Sequence, residues 1–134
     1  SEVIMDLHLM IKIVHMSAVA LACVVFVCRA LTLFMGVQGQ QPNLKGRTAF
    51  VALQHLSYIL IVLTGMSLLV MNQFVVKPWF YAKIILFLVL ISSLIKAYKK
   101  EDSILLAQRR AGLVISAVAL LAILGLVMVK PVFN

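Results

Sequence analysis

Residues 5–35, MDLHLMIKIVHMSAVALACVVFVCRALTLFM, decide the fold. From Ile13 to Met35 the run is apolar apart from a few isolated groups, far longer than the hydrophobic core of a secretory signal. At about 1.5 Å per residue, a helix of that length crosses the roughly 30 Å of bilayer hydrocarbon. The stretch therefore reads as a retained transmembrane helix over about 5–35, and Met5 would itself serve as a start.

Three more blocks of the same kind follow, with helices expected over about 48–71, 78–98 and 104–129. Gly36, Gly39, Pro42, Asn43 and Gly46 make a polar loop after the first block. Asn72 and Gln73 end the second, and Pro78 suits the first turn of the third. The segment 99–103 is a short charged link, and Lys130-Pro131 stops the fourth helix. Short links force neighbouring helices to run antiparallel. The expected fold is all-α, an integral membrane up-down antiparallel four-helix bundle forming one transmembrane domain over 1–134.

Composition agrees. A chain of 134 residues that is 64% hydrophobic and 12% charged, with mean hydropathy +1.15, has too little polar surface to cover a soluble globule. The net charge of +8 does not point to nucleic acid, because the Lys and Arg residues are not interleaved with stacking aromatics and mostly flank the apolar blocks. They read instead as topology signal and as contacts for anionic headgroups. Lys45, Arg47, Lys96, Lys99, Lys100, Arg109 and Arg110 fall on the side of the first and third loops, against Lys12, Lys77 and Lys130 on the other. Both termini are expected away from the cytoplasm, in the periplasm if the protein lies in a bacterial inner membrane, with Trp79, Phe80 and Tyr81 as an interfacial belt. Cys23 and Cys28 have neither CxxC nor metal-finger spacing and read as buried free thiols.

Ionisable groups inside hydrocarbon are costly, so Lys12, His15, Arg29, His55 and Lys83 are where function is sought. His8, His15, Ala22 and Arg29 recur every seven residues and share one helix face, expected to look into the bundle beside small Ala18 and Ala22. Fourteen residues separate His15 from Arg29, about 21 Å along the axis, so both cannot touch one small ligand. Matching depths puts Lys83 level with His15 and Lys12 in an outer cluster. It puts His55 level with Arg29 in an inner one, near Arg109 and Arg110. No acidic residue lies in the four helix cores.

A cavity lined by Arg29, His55, Arg110 and Lys83 either lowers its own basicity or awaits an anion. Haem offers two propionates to Arg and Lys and an iron to neutral His15 or His55. A quinone offers two carbonyl oxygens, and a phospholipid headgroup would satisfy the arginines without chemistry. The plainer readings are that Lys12, Lys83 and Arg29 snorkel, that Arg109 and Arg110 mark topology, and that Tyr58 packs or donates a hydrogen bond. Gly112, Ser116 and Ala119 read as a close helix contact.

Residues 7–34 (LHLMIKIVHMSAVALACVVFVCRALTLF), 53–65 (LQHLSYILIVLTG), 79–84 (WFYAKI) and the late VMVKP together resemble the SirB family of small bacterial inner-membrane proteins over nearly the whole chain. One departure is Tyr58, where many SirB-like sequences carry an acidic or amide residue. More distantly, Lys12-x-x-His15, Arg29, Trp79-x-x-x-Lys83, Arg110 and Val129-Lys130-Pro131 resemble the HemJ type of protoporphyrinogen oxidase, which binds haem b. That resemblance implies His15 as an axial ligand, Lys83 as a second ligand or porphyrin contact, and Arg29 on a propionate. Ala111-Gly112 replaces the Asn-Glu pair of the HemJ pattern, so the fold carries over further than the activity. The expectation is a SirB-like membrane protein whose interior holds a haem-like or quinone-like cofactor through His15, His55, Lys83, Arg29 and Arg110, with His15 and His55 as metal ligands. The alternative is an accessory or scaffold subunit of a larger membrane complex, or a homo-oligomer, binding lipid. A transporter ranks third, since four short helices leave little room for a gated path.

Overall fold

A computed structural model describes residues 2–40, 42–43, 45–71, 78–99, 101 and 103–133. Among the described residues, four helices account for the regular structure: α1 (Glu2–Leu31), α2 (Arg47–Met71), α3 (Pro78–Tyr98) and α4 (Leu106–Phe133). All four are long and apolar enough to cross a membrane. The chain is all-α, as its hydropathy pattern requires, and it divides into two compact units. The first holds residues 1–31 and 44–75, the second residues 32–43 and 76–134.

The first unit is the α1–α2 hairpin. Thr64, late in α2, meets His15, and Gln54, early in α2, meets Arg29, so the two helices run antiparallel. Their contact face inverts the pattern of a soluble helix. The buried residues of α2 are Gln54, Ser57 and Thr64, facing Ala18, Ala22, Val25 and Arg29 of α1, while Leu53, Leu56, Ile59 and Leu63 stay exposed. In hydrocarbon, apolar side chains are already at home, and polar groups turn toward a partner helix.

The second unit is the α3–α4 hairpin together with the segment 32–43. Gly112 packs so closely that a Cβ there would lie 3.2 Å from the Ser93 carbonyl oxygen and 3.6 Å from the Ala97 Cβ. Ser116 and Ala119 are buried on the same face of α4, the close contact expected of these small residues. Arg109 is fully buried. Its Nη1 donates to the carbonyls of Ala97 (3.1 Å) and Lys99 (2.5 Å), and its Nη2 to that of Glu101 (2.8 Å). One guanidinium thus closes the carbonyl end of α3, which no intrahelical partner can satisfy.

Helix ends differ from the expected ones for local reasons. α1 stops at Leu31, not Met35, because the next carbonyls are taken elsewhere: Thr32 by the Asn43 N–H (2.8 Å), Leu33 by Arg110 and Met35 by the Asn43 side chain. Gly36 then adopts the left-handed region (φ 70°), where a Cβ would strike Asn43. α1 begins at Glu2, an acid suited to the positive end of a helix. α2 begins at Arg47, its first turn closed by Phe50 N–H on the Gly46 carbonyl (3.0 Å). α4 begins at Leu106 and not Ile104, since Gln108 accepts from the Leu105 N–H (3.0 Å) and Gln40 from that of Leu106 (2.6 Å). It continues past Pro131 to Phe133, forfeiting one backbone bond at the proline. The expected helix end at Asn72-Gln73, the charges of Lys77 and Lys100, and the side chains of Trp79 and Lys130 lie outside the described residues.

Candidate functional site

The polar stripe of α1 divides along its length. His8 and Lys12 are exposed, His15 is half-buried, and Ala18, Ala22, Val25 and Arg29 are buried. From His15 onward the stripe faces α2.

His15 meets Thr64, its Nδ1 lying 2.7 Å from Thr64 Oγ1. The hydroxyl has one proton, and that proton goes back to the Leu60 carbonyl at 2.5 Å, with Ile61 O at 3.3 Å. Thr64 therefore accepts from His15, placing the imidazole proton on Nδ1 and the lone pair on Nε2. Gly65 follows, where even an added Cβ would only touch the His15 ring, 3.6 Å from Cε1. The contact fixes the orientation of the ring, and with Nδ1–H donating to Thr64 the neutral imidazole has the form that suits a histidine for ligation.

Arg29 lies at the other end of the hairpin, 7% exposed. Its Nη1 donates to Gln54 Oε1, and Gln54 Nε2 donates in turn to the Tyr58 hydroxyl at 3.1 Å. Ser57, fully buried beside them, donates to the Gln54 carbonyl at 2.9 Å. The unit's carboxylates, Glu2 and Asp6, sit at the far end of α1. The buried cation is thus met by a neutral amide, whose two ends pass its polarisation on to a phenol.

His55 departs from the expectation of an inward-facing ligand. Gln54 is the residue turned toward α1, and the next residue, 100° further round the helix, is exposed. Its Nδ1–H donates to the Val51 carbonyl (2.8 Å) one turn back in α2. His55 follows Gln54, the partner of Arg29, and stands nine residues before Thr64, about 13 Å along the axis of α2 from the partner of His15. The two histidines therefore belong to separate places. Among the described residues, no group of three or more His, Cys, Asp or Glu is gathered for a metal ion.

The remaining candidates lie in the second unit. Lys83 is half-buried on α3. Arg110 donates from Nε to the Leu33 carbonyl at 3.0 Å and stacks its guanidinium 4.9 Å from the centre of the Phe34 ring. Sequence reasoning missed Gln54 and Thr64, and read Arg109 as topology when it is a helix cap. The signal for the first two was present: uncharged hydrogen-bonding residues spaced along α2 on the face that a lipid-bathed helix turns to its partner.

A family model described as "Invasion gene expression up-regulator, SirB" matches residues 8–132. The chain belongs to the SirB family. No curated protein and no solved structure matches it significantly. With four apolar helices, SirB membership makes this an integral membrane protein. The family's description refers to an effect on gene expression and assigns no chemistry to any residue, so the chemistry of this SirB chain is argued from its side chains.

Proposed function

We propose that this protein resides in a bacterial inner membrane and that its first hairpin binds a lipophilic cofactor, haem-like or quinone-like, at His15. The hydrogen bond from His15 Nδ1–H to Thr64 carries the reading. It leaves Nε2 as the lone-pair nitrogen, which ligates a metal or accepts from a hydroxyl but cannot donate to a carbonyl. The geometry thus favours a haem-like iron first and a reduced, hydroxyl-bearing quinone second. Haem b, when bound, supplies one-electron chemistry at its iron. The protein's part is to hold the imidazole orientation through Thr64, to keep water out with apolar helix faces, and to offer positive charge. Arg29 supplies that charge within the same hairpin. Arg29 stands about 21 Å from His15 along α1 and acts on the field of the site, not on the same atoms.

Absorption spectra of detergent-purified protein, oxidised and reduced, with mass spectrometry of extracted small molecules, test this. A Soret band lost in His15→Ala and displaced in Thr64→Val is expected. Colourless, quinone-free protein that copurifies stoichiometrically with a larger membrane complex would establish the accessory-subunit reading in its place.

A further inference from the structure

Gly65 lies in the interior of α2, where glycine weakens a helix relative to alanine. A close approach of two backbones is the usual compensation, and Gly112 shows it: a Cβ there would stand 3.2 Å from the Ser93 carbonyl oxygen. Gly65 does not. Among the described residues, the one atom of another helix within 4 Å of an added Cβ is Cε1 of His15, at 3.6 Å, an ordinary contact. The missing side chain therefore makes room beside an imidazole, not for the backbone of α1.

What it leaves bare is one edge of that ring. Cε1 lies between the two ring nitrogens, Nδ1 facing Thr64 and Nε2 on the other side. A metal on Nε2 holds its ligand plane across the end of the imidazole, so the rim of a broad flat ring passes beside Cε1. A compact ligand on the same nitrogen does not reach so far. Ile61, Leu68 and Leu69, one turn from Gly65 along α2, are half-buried and apolar, the surface against which a flat lipophilic ring packs.

We infer that Gly65 is a specificity-determining residue of the His15 site: its missing side chain admits a broad planar ring at Nε2, which any side chain there would push away from the imidazole edge. The role deepens the reading of His15 as a cofactor ligand and rests on it. It is steric, and no bond forms at Gly65 itself.

The test is titration of the detergent-purified protein with haemin, followed by the Soret absorbance, with the unfolding midpoint in mixed micelles measured beside it. Gly65→Ala is expected to weaken the His15-dependent uptake about tenfold, the scale of a methyl group forced into an occupied contact, and Gly65→Leu to abolish it. Without haemin, Gly65→Ala is expected to unfold at a higher midpoint than wild type, because alanine favours the helix and its Cβ meets only an ordinary contact. A firmer helix with weaker uptake separates a gate from a packing glycine, whose substitution lowers both. Gly125→Ala, where a Cβ meets nothing within 4 Å, controls for helix propensity and leaves uptake unchanged. Uptake and midpoint falling together in Gly65→Ala overturn the role, as does an equal loss of uptake in Gly125→Ala. Haemin bound equally well by wild type, Gly65→Ala and Gly65→Leu, but lost in His15→Ala, overturns the role of Gly65 and spares the His15 site. Uptake that His15→Ala leaves unaltered removes the His15 site itself, and the role of Gly65 with it.

Discussion

Thr64 sets the orientation of the His15 ring through its contact with Nδ1. Replacing it with valine keeps the shape and removes the acceptor, leaving the Nδ1–H without its 2.7 Å partner. Thr64→Val is expected to cost about 1–2 kcal/mol, the range for intramembrane side-chain hydrogen bonds, read as a lower midpoint in equilibrium unfolding in mixed micelles. Gln54 carries a heavier charge-linked load, because the acceptor it offers serves a buried guanidinium. Gln54→Leu is expected to destabilise by about 1.5–3 kcal/mol, more than Thr64→Val by the same measurement, and Gln54→Glu to be the milder of the two Gln54 changes because it keeps an acceptor for Arg29. Equal stability of wild type and Gln54→Leu would show that Arg29 does not depend on this amide. Such partners were only half legible. The sequence shows that a cation or an imidazole inside hydrocarbon must be met by something, but which residue meets it depends on helix rotation and register. A one-position error exchanges inward Gln54 for outward His55.

At the scale of elements, the four helices were readable because each apolar run is long enough to span a bilayer and too poor in polar residues to do anything else. Their ends were less so, since they are set by side chains distant in sequence: Asn43 and Arg110 after α1, Gln40 before α4. Arg109 is the clearest case. Its three carbonyl bonds tie the end of α3 to the start of α4 across a short link. Arg109→Met, which retains the bulk and none of the donors, is expected to lower hairpin stability by at least about 2 kcal/mol, with Arg109→Lys in between because an ammonium cannot reproduce the planar fork. Protease susceptibility of the α3–α4 link reports the difference. The same link holds Glu101, whose carboxyl is held below its ordinary value of 4.5, first by hydrogen bonding to the Lys99 side chain and then to Ser103. Its ammonium partner lies 3.3 Å away. A carboxyl depressed in the folded state adds stability above its unfolded value and loses it as the pH falls through the folded one. Because the pair is exposed, the effect is local and salt-sensitive. The Ile104 amide, bonded to the Glu101 carbonyl at 3.2 Å, should therefore lose protection at pH values below 4.5 after correction for the intrinsic exchange rate, and Glu101→Gln should remove that pH dependence.

For the whole molecule, the question is which way the chain faces. Loops one and three with their helix ends carry seven Lys and Arg residues, Lys45, Arg47, Lys96, Lys99, Lys100, Arg109 and Arg110, against Lys12, Lys77 and Lys130 on the other side. Two of the seven, Arg109 and Arg110, end up bonded to backbone carbonyls in the folded protein. Orientation, however, is set while the chain inserts, before those bonds form, so they still count toward the charge bias between the two sides. Even without them the loop side leads, by five to three. With Cys23 and Cys28 replaced by serine, a cysteine at Gln38, exposed in the first loop, is expected to resist a membrane-impermeant maleimide in cells whose inner membrane is intact. A cysteine at Glu2 should label readily under the same conditions. Lysis should equalise the two. Labelling of Gln38→Cys before lysis with protection of Glu2→Cys would invert the molecule, placing Arg29 and the His55 level at the outer face and His15 at the inner one.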